Sequence, residues 1–127
     1  MALATVSMHA CANASATTDI TMPLGRWAGS GACLSVAADG CDLVVGCGHG
    51  QFSRPIVHPD GSFAITGTYR IEVGPVSINP APPAAFSGTL TGGSVTLTIA
   101  PTDPALKPFS VQLQLTDGTG RCAVPCV

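Results

Sequence analysis

The chain predicts an all-β domain: a single antiparallel up-and-down β-barrel of about eight strands, stabilised by disulfides. Three observations predict it. Apolar residues alternate with Thr, Ser and Gln along most of the chain, the period of a sheet with one buried face. Explicit turn sequences separate the alternating runs, and no helical period is visible. Six cysteines accompany only five Lys and Arg, a composition suited to an oxidising compartment. A two-sheet sandwich would show the same alternation. The barrel is preferred because closure leaves no open strand edge.

Residues 1–22 stand apart as a leader or linker, and the barrel is expected over 23–127. The leader is apolar and small but has no basic start and no full apolar stretch. Met8-His9-Ala10-Cys11 is a partial match to a bacterial lipobox, which makes Cys11 a candidate lipidation site. Otherwise Cys11 pairs with another cysteine.

The first strand opens at Gly25-Arg26-Trp27. Asp39-Gly40 then suggests a two-residue hairpin, which would set Val36 opposite Leu43, Leu34 opposite Val45 and Ala32 opposite Cys47. That register turns Cys47 inward and places Cys33 and Cys41 on opposite faces. A weaker strand covers residues 51–58. After Pro59-Asp60-Gly61-Ser62 comes a long one, with Phe63, Ile65, Gly67, Tyr69, Ile71 and Val73 inward and Thr66, Thr68, Arg70 and Glu72 outward. Residues 74–84 hold four prolines and read as a semi-rigid extended loop.

Gly92-Gly93 is the clearest hairpin signal. It sets Leu90 opposite Val95, Gly88 opposite Leu97 and Phe86 opposite Ile99 on one face. Thr89 and Thr96, with Ser87 and Thr98, fall on the other. Phe109, Val111, Leu113 and Leu115 give another strand, and residues 121–126 a weaker terminal one. Gly67 and Gly88 point inward, where they leave room for a ligand or mark bends.

Composition excludes several functions. Charged residues are 9% of the chain and the formal net charge is −2. Nucleic acid and anionic membranes both need clustered cations, which are missing here. No run of about 18 apolar residues exists, so no transmembrane helix is expected. No phosphate loop or dinucleotide fingerprint is present, and no cofactor is predicted.

Candidate site residues are few. Six cysteines allow fifteen pairings; Cys122 is expected to join Cys33 or Cys41. A zinc site from Cys41, Cys47, Cys122, Cys126 and His49 is disfavoured, because five residues between Cys41 and Cys47 exceed the usual ligand spacing. His49, between two glycines, would need a nucleophile and an acid for catalysis. Ser53, Asp42 and Asp60 exist, but no motif frames them, so a turn histidine bonding backbone is the preferred reading. Arg70 and Glu72 share a face, as a polar recognition patch or a plain exposed ion pair. Glu72 is the only Glu, so a carboxylate pair for glycoside hydrolysis is not expected.

The glycine-x-tryptophan start resembles that of calycin barrels, including lipocalins and bacterial barrel-type metalloprotease inhibitors. In that likeness Trp27 plugs one end and Arg121 packs over it. A fuller resemblance spans residues 25–127. Trp27-Ala28-Gly29, Leu34-Ser35-Val36, Cys47-Gly48-His49-Gly50, Gly61-Ser62-Phe63, Gly67-Thr68-Tyr69, Gly74-Pro75, Ser87-Gly88 and Cys126-Val127 resemble, in order, a group of uncharacterised secreted bacterial proteins and lipoproteins. The resemblance implies an exported barrel and a Cys47–Cys126 disulfide, and no activity. That bridge would close a loop of about 80 residues, worth about 4 kcal/mol in the chain-entropy model.

The expectation is therefore a non-enzymatic, extracytoplasmic binding module or envelope component. Its working parts would be His49, Arg70, Glu72 and rim loops at 47–51 and 74–84. The alternatives are a carrier of a small apolar ligand, a secreted protease inhibitor using residues 12–24 as an arm, and a self-associating surface protein.

Overall fold

A computed structural model describes residues 18–29, 31–72, 81–118 and 122. Ten strands are formed among these residues: β1 (Ile20–Thr21), β2 (Gly25–Gly29), β3 (Ala32–Ala37), β4 (Gly40–Val45), β5 (Gly48–Phe52), β6 (Ile56–Val57), β7 (Ser62–Ile71), β8 (Pro83–Thr91), β9 (Ser94–Pro101) and β10 (Phe109–Leu115). Eight of them close into an antiparallel barrel in the order β10-β2-β3-β4-β5-β7-β8-β9. β1 and β6 form a separate two-stranded ribbon. The chain therefore runs up and down in sequence order, with the ribbon stepping out between β5 and β7.

The Gly92-Gly93 hairpin holds the register that its alternation predicts. Leu90 pairs with Val95, Gly88 with Leu97 and Phe86 with Ile99, and Gly92 takes a φ of +58° in the turn. The Asp39-Gly40 hairpin differs by two residues. Val36 pairs with Cys41, Leu34 with Leu43 and Ala32 with Val45. Gly40 has a φ of +154° and is the first residue of β4, so Ala38 and Asp39 make the turn. A slip of two preserves faces. Val36, Leu34 and Leu43 stay buried inside, but Cys47 moves off the inner face into the turn before β5.

Two more elements depart from expectation. Residues 51–58 do not form one strand: β5 starts earlier, at Gly48, and β6 pairs with the N-terminal segment. Among the described residues the barrel is closed by β10 on β2, with Leu115 opposite Trp27, where the sequence suggests a contribution from a strand over 121–126. That segment lies outside the described residues except for Cys122, as does the proposed partner of Trp27, Arg121.

The fold also begins before residue 23. Met22 is fully buried, and its N–H donates to the Pro55 carbonyl at 3.0 Å. Arg54 Nε donates to the Met22 carbonyl at 2.7 Å, and Trp27 Nε1 to the Pro23 carbonyl at 3.3 Å. Met22, Trp27, Pro55 and Val57 together cap the end where β2 begins. An arm from outside the eight strands thus closes that mouth. At the opposite mouth, Tyr69 and Phe109 meet with ring centroids 5.7 Å apart, and Leu106 packs on the core from the β9–β10 loop.

Candidate functional site

The barrel interior is built from rings seated over glycines. A Cβ on Gly48 would overlap the Tyr69 hydroxyl, and one on Gly88 would stand 2.8 Å from Phe63 Cζ. Gly50 lies beneath Phe86, whose ring stacks on Phe52 with centroids 4.4 Å apart. At Gly67 a Cβ would meet the Gln51 carbonyl and, at 2.8 Å, the Phe52 side chain. Gly67 and Gly88 therefore serve close approach of backbone and rings. Phe63, Tyr69 and Phe86 are buried with Leu34, Leu43, Leu97, Ile99 and Leu113. Eight strands leave an interior just wide enough for side chains, and these fill it. Burial raises the Tyr69 pKa above its ordinary value.

The polar side chains gather on the outer face near the mouth opposite Trp27. The register aligns Cys33, Val44, His49 and Arg70 on four adjacent strands. Glu72 follows directly after β7. Arg70 holds its carboxylate through Nη2 at 2.7 Å and Nε at 3.0 Å, both to Oε1. His49 Nδ1 lies 3.5 Å from the same oxygen. The Arg70 and Glu72 side chains are 20% and 37% exposed, so water screens the pair and it contributes under about 1 kcal/mol.

His49 is thus not a turn residue. β5 carries it on the outer face, against a carboxylate and a guanidinium. Of the other groups weighed for catalysis, Asp42 borders the same hollow as His49 and accepts from Gln51 Nε2 at 3.0 Å. Asp60 lies at the other end of the barrel, where it accepts from the Ser62 hydroxyl and N–H. The Ser62 hydroxyl bond is the main cause of the lowered Asp60 pKa.

Cys122 is bonded to Cys33, which settles the choice between Cys33 and Cys41. The bridge lies on the outer face, where Cys122 borders a hollow of about 250 Å³ with Asp42, Val44 and His49. Cys47 is also in a disulfide. The expected partner Cys126 lies outside the described residues, as does Cys11. The Cys47 and Cys122 sulfurs are thus oxidised and do not offer thiolates to zinc. Cys41 is a free thiol, buried among Val36 and Phe52. Burial pushes its pKa up to about 12, against a smaller lowering by Arg54.

A second groove, of about 470 Å³, opens where β5 leaves β7 after the Phe52–Gly67 pair. Asp39, Asp42, Gln51, Ser53, Thr66 and Thr68 supply its polar lining. Sequence reasoning missed this groove, because it depends on β6 turning away to pair with β1. Among the described residues no helix is long and apolar enough to cross a membrane, and no cluster of three His, Cys, Asp or Glu side chains could hold a metal ion. The barrel and its bridge agree with a calycin-like architecture, and the bridge with an oxidising, extracytoplasmic setting. No family model, curated protein or solved structure matches the chain.

Proposed function

We propose that this chain is a non-enzymatic binding module of the cell envelope, held near a membrane through Cys11. It would recognise a partner with its outer surface. The observation that carries this reading is the filled interior. Tyr69, Phe86, Phe52 and Phe63 occupy the space over the inward glycines, which favours surface recognition over carriage of a small apolar ligand. What remains available is exterior: the His49–Arg70–Glu72 cluster and the mouth beside it. The disulfide supports an extracytoplasmic site of action. The partial lipobox supports the anchor.

The test is twofold. The intact mass of protein from its host, native and then reduced, should show a lipid on Cys11 and loss of residues 1–10. Crosslinking in that host should capture a partner with the wild-type chain and lose it with Arg70→Ala/Glu72→Ala. A partner captured equally by both proteins would remove the outer cluster from the reading. An unmodified Cys11 would remove the anchor.

A further inference from the structure

Four large apolar side chains are exposed among the described residues: Ile20 (52%), Leu24 (53%), Ile56 (55%) and Leu115 (42%). Isolated exposed apolar residues are ordinary on any protein. Here all four belong to one end. Leu24 precedes the start of β2, Leu115 ends β10 opposite Trp27, and Ile56 lies on the β1–β6 ribbon that caps the same mouth; Ile20 is on the other face of that ribbon, beside the buried Val57. A Cβ on Gly25 would stand 3.3 Å from Leu115 Cδ1, which ties the end of β10 to the start of β2.

The chain enters the fold at this end too. Cys11 stands seven residues before Thr18. Seven residues span at most about 25 Å when extended. A lipid on Cys11 would therefore keep this end, and not the opposite mouth, next to the bilayer.

We infer that the barrel docks end-on on a lipid surface, with Leu24, Ile56 and Leu115 entering the interfacial region. This deepens the anchoring part of the proposed function and rests on it for orientation. Two weak membrane contacts, a lipid and an apolar patch, hold a protein far better than either alone. The charges of this end select the lipid. Asp19, Asp39, Asp60 and Asp117 lie there with Arg26 and Arg54. His58 meets Asp19 at 3.3 Å, on the same ribbon. The excess of carboxylates favours zwitterionic over anionic headgroups.

Trp27 is the only tryptophan and sits just inside this end, which gives a direct readout. The full chain is mixed with phosphatidylcholine vesicles carrying bromine on their acyl chains, and Trp27 emission is followed. Docking predicts quenching, weaker with phosphatidylglycerol vesicles at low salt. Leu24→Ser/Ile56→Ser should lower vesicle partitioning about tenfold or more, while its Trp27 spectrum without vesicles matches the wild type. Absence of quenching in the wild type overturns the proposal. So does concentration-dependent self-association that the same substitutions abolish, since a second copy would then cover the patch. Cys11→Ala separates the two readings. Quenching that persists in this variant supports docking whatever the mass of Cys11 shows. A lipidated Cys11 without quenching overturns docking and leaves the anchor standing.

Discussion

Tyr69 and Gly48 form a knob and its seat: the Tyr69 hydroxyl occupies the place that a Cβ at position 48 would take. The two residues lie on adjacent strands, β5 and β7, near the mouth away from Trp27. The absence of a side chain at 48 is what leaves room for the Tyr69 hydroxyl and ring edge there.

Gly48→Ala should therefore destabilise the fold by about 1–3 kcal/mol, the ordinary cost of overpacking. Gly93→Ala, with nothing within 4 Å of its Cβ, should cost far less. Tyr69→Phe should relieve part of the Gly48→Ala penalty, because the hydroxyl is the nearest atom. Urea unfolding of the four proteins and the 48/69 double variant measures that coupling. Equal penalties at 48 and 93 would show that the interior has slack.

Cys41 predicts an alkaline weakness. Its folded pKa is raised to about 12, from 9.0 in the ordinary thiol. The unfolded chain thus releases the thiol proton first, and the native state keeps it. Stability from this group is complete below about pH 9 and falls as pH rises towards 12, with a limiting slope of about 1.4 kcal/mol per pH unit. Burial of Tyr69 acts in the same direction. Cys41→Ala should flatten the loss between pH 9 and 11 in urea titrations. A thiol reagent should label Cys41 only on unfolding.

The Cys33–Cys122 bridge spans 89 residues of sequence. Removing it as Cys33→Ala/Cys122→Ala should cost about 2–5 kcal/mol. Peptide mapping of the oxidised wild type should recover Cys33 with Cys122 and Cys47 with Cys126. Recovery of Cys11 with Cys47 would break the implied terminal staple.

Met22 is fully buried although it lies outside the barrel strands. Met22→Ala should cost about 2–5 kcal/mol and blue-shifted Trp27 emission should move to the red as the mouth opens. Glu72→Gln, by contrast, should change stability by under about 1 kcal/mol, since the ion pair is half in water.

The parts of this fold legible in sequence are those fixed by parity. Phe86, Gly88 and Leu90 could face only Ile99, Leu97 and Val95 once Gly92-Gly93 was read as the turn. The Asp39-Gly40 hairpin hid its register because a glycine can be inside a turn or just after it, and a shift of two residues leaves every face unchanged. That ambiguity misplaced Cys47. His49 reads as a turn residue for a related reason: the glycines around it suggest a turn, yet Gly48 and Gly50 are strand residues kept small by Tyr69 and Phe86. The arm at residues 18–22 gave no signal of its own, because a two-residue strand has no period. Of the outer cluster, the shared face of Arg70 and Glu72 followed from spacing. The approach of His49 depends on the β5–β7 register, which no turn sequence announced.

On the proposed reading the barrel is filled by its own side chains and recognises its partner with its surface. Native mass spectrometry of protein purified gently from its host tests this most directly. A filled, lipid-anchored barrel gives the mass of the processed chain with its covalent lipid and no further small molecule. A small apolar ligand retained in the native spectrum, released on denaturation and still bound by Leu24→Ser/Ile56→Ser would place it inside the barrel and overturn that reading.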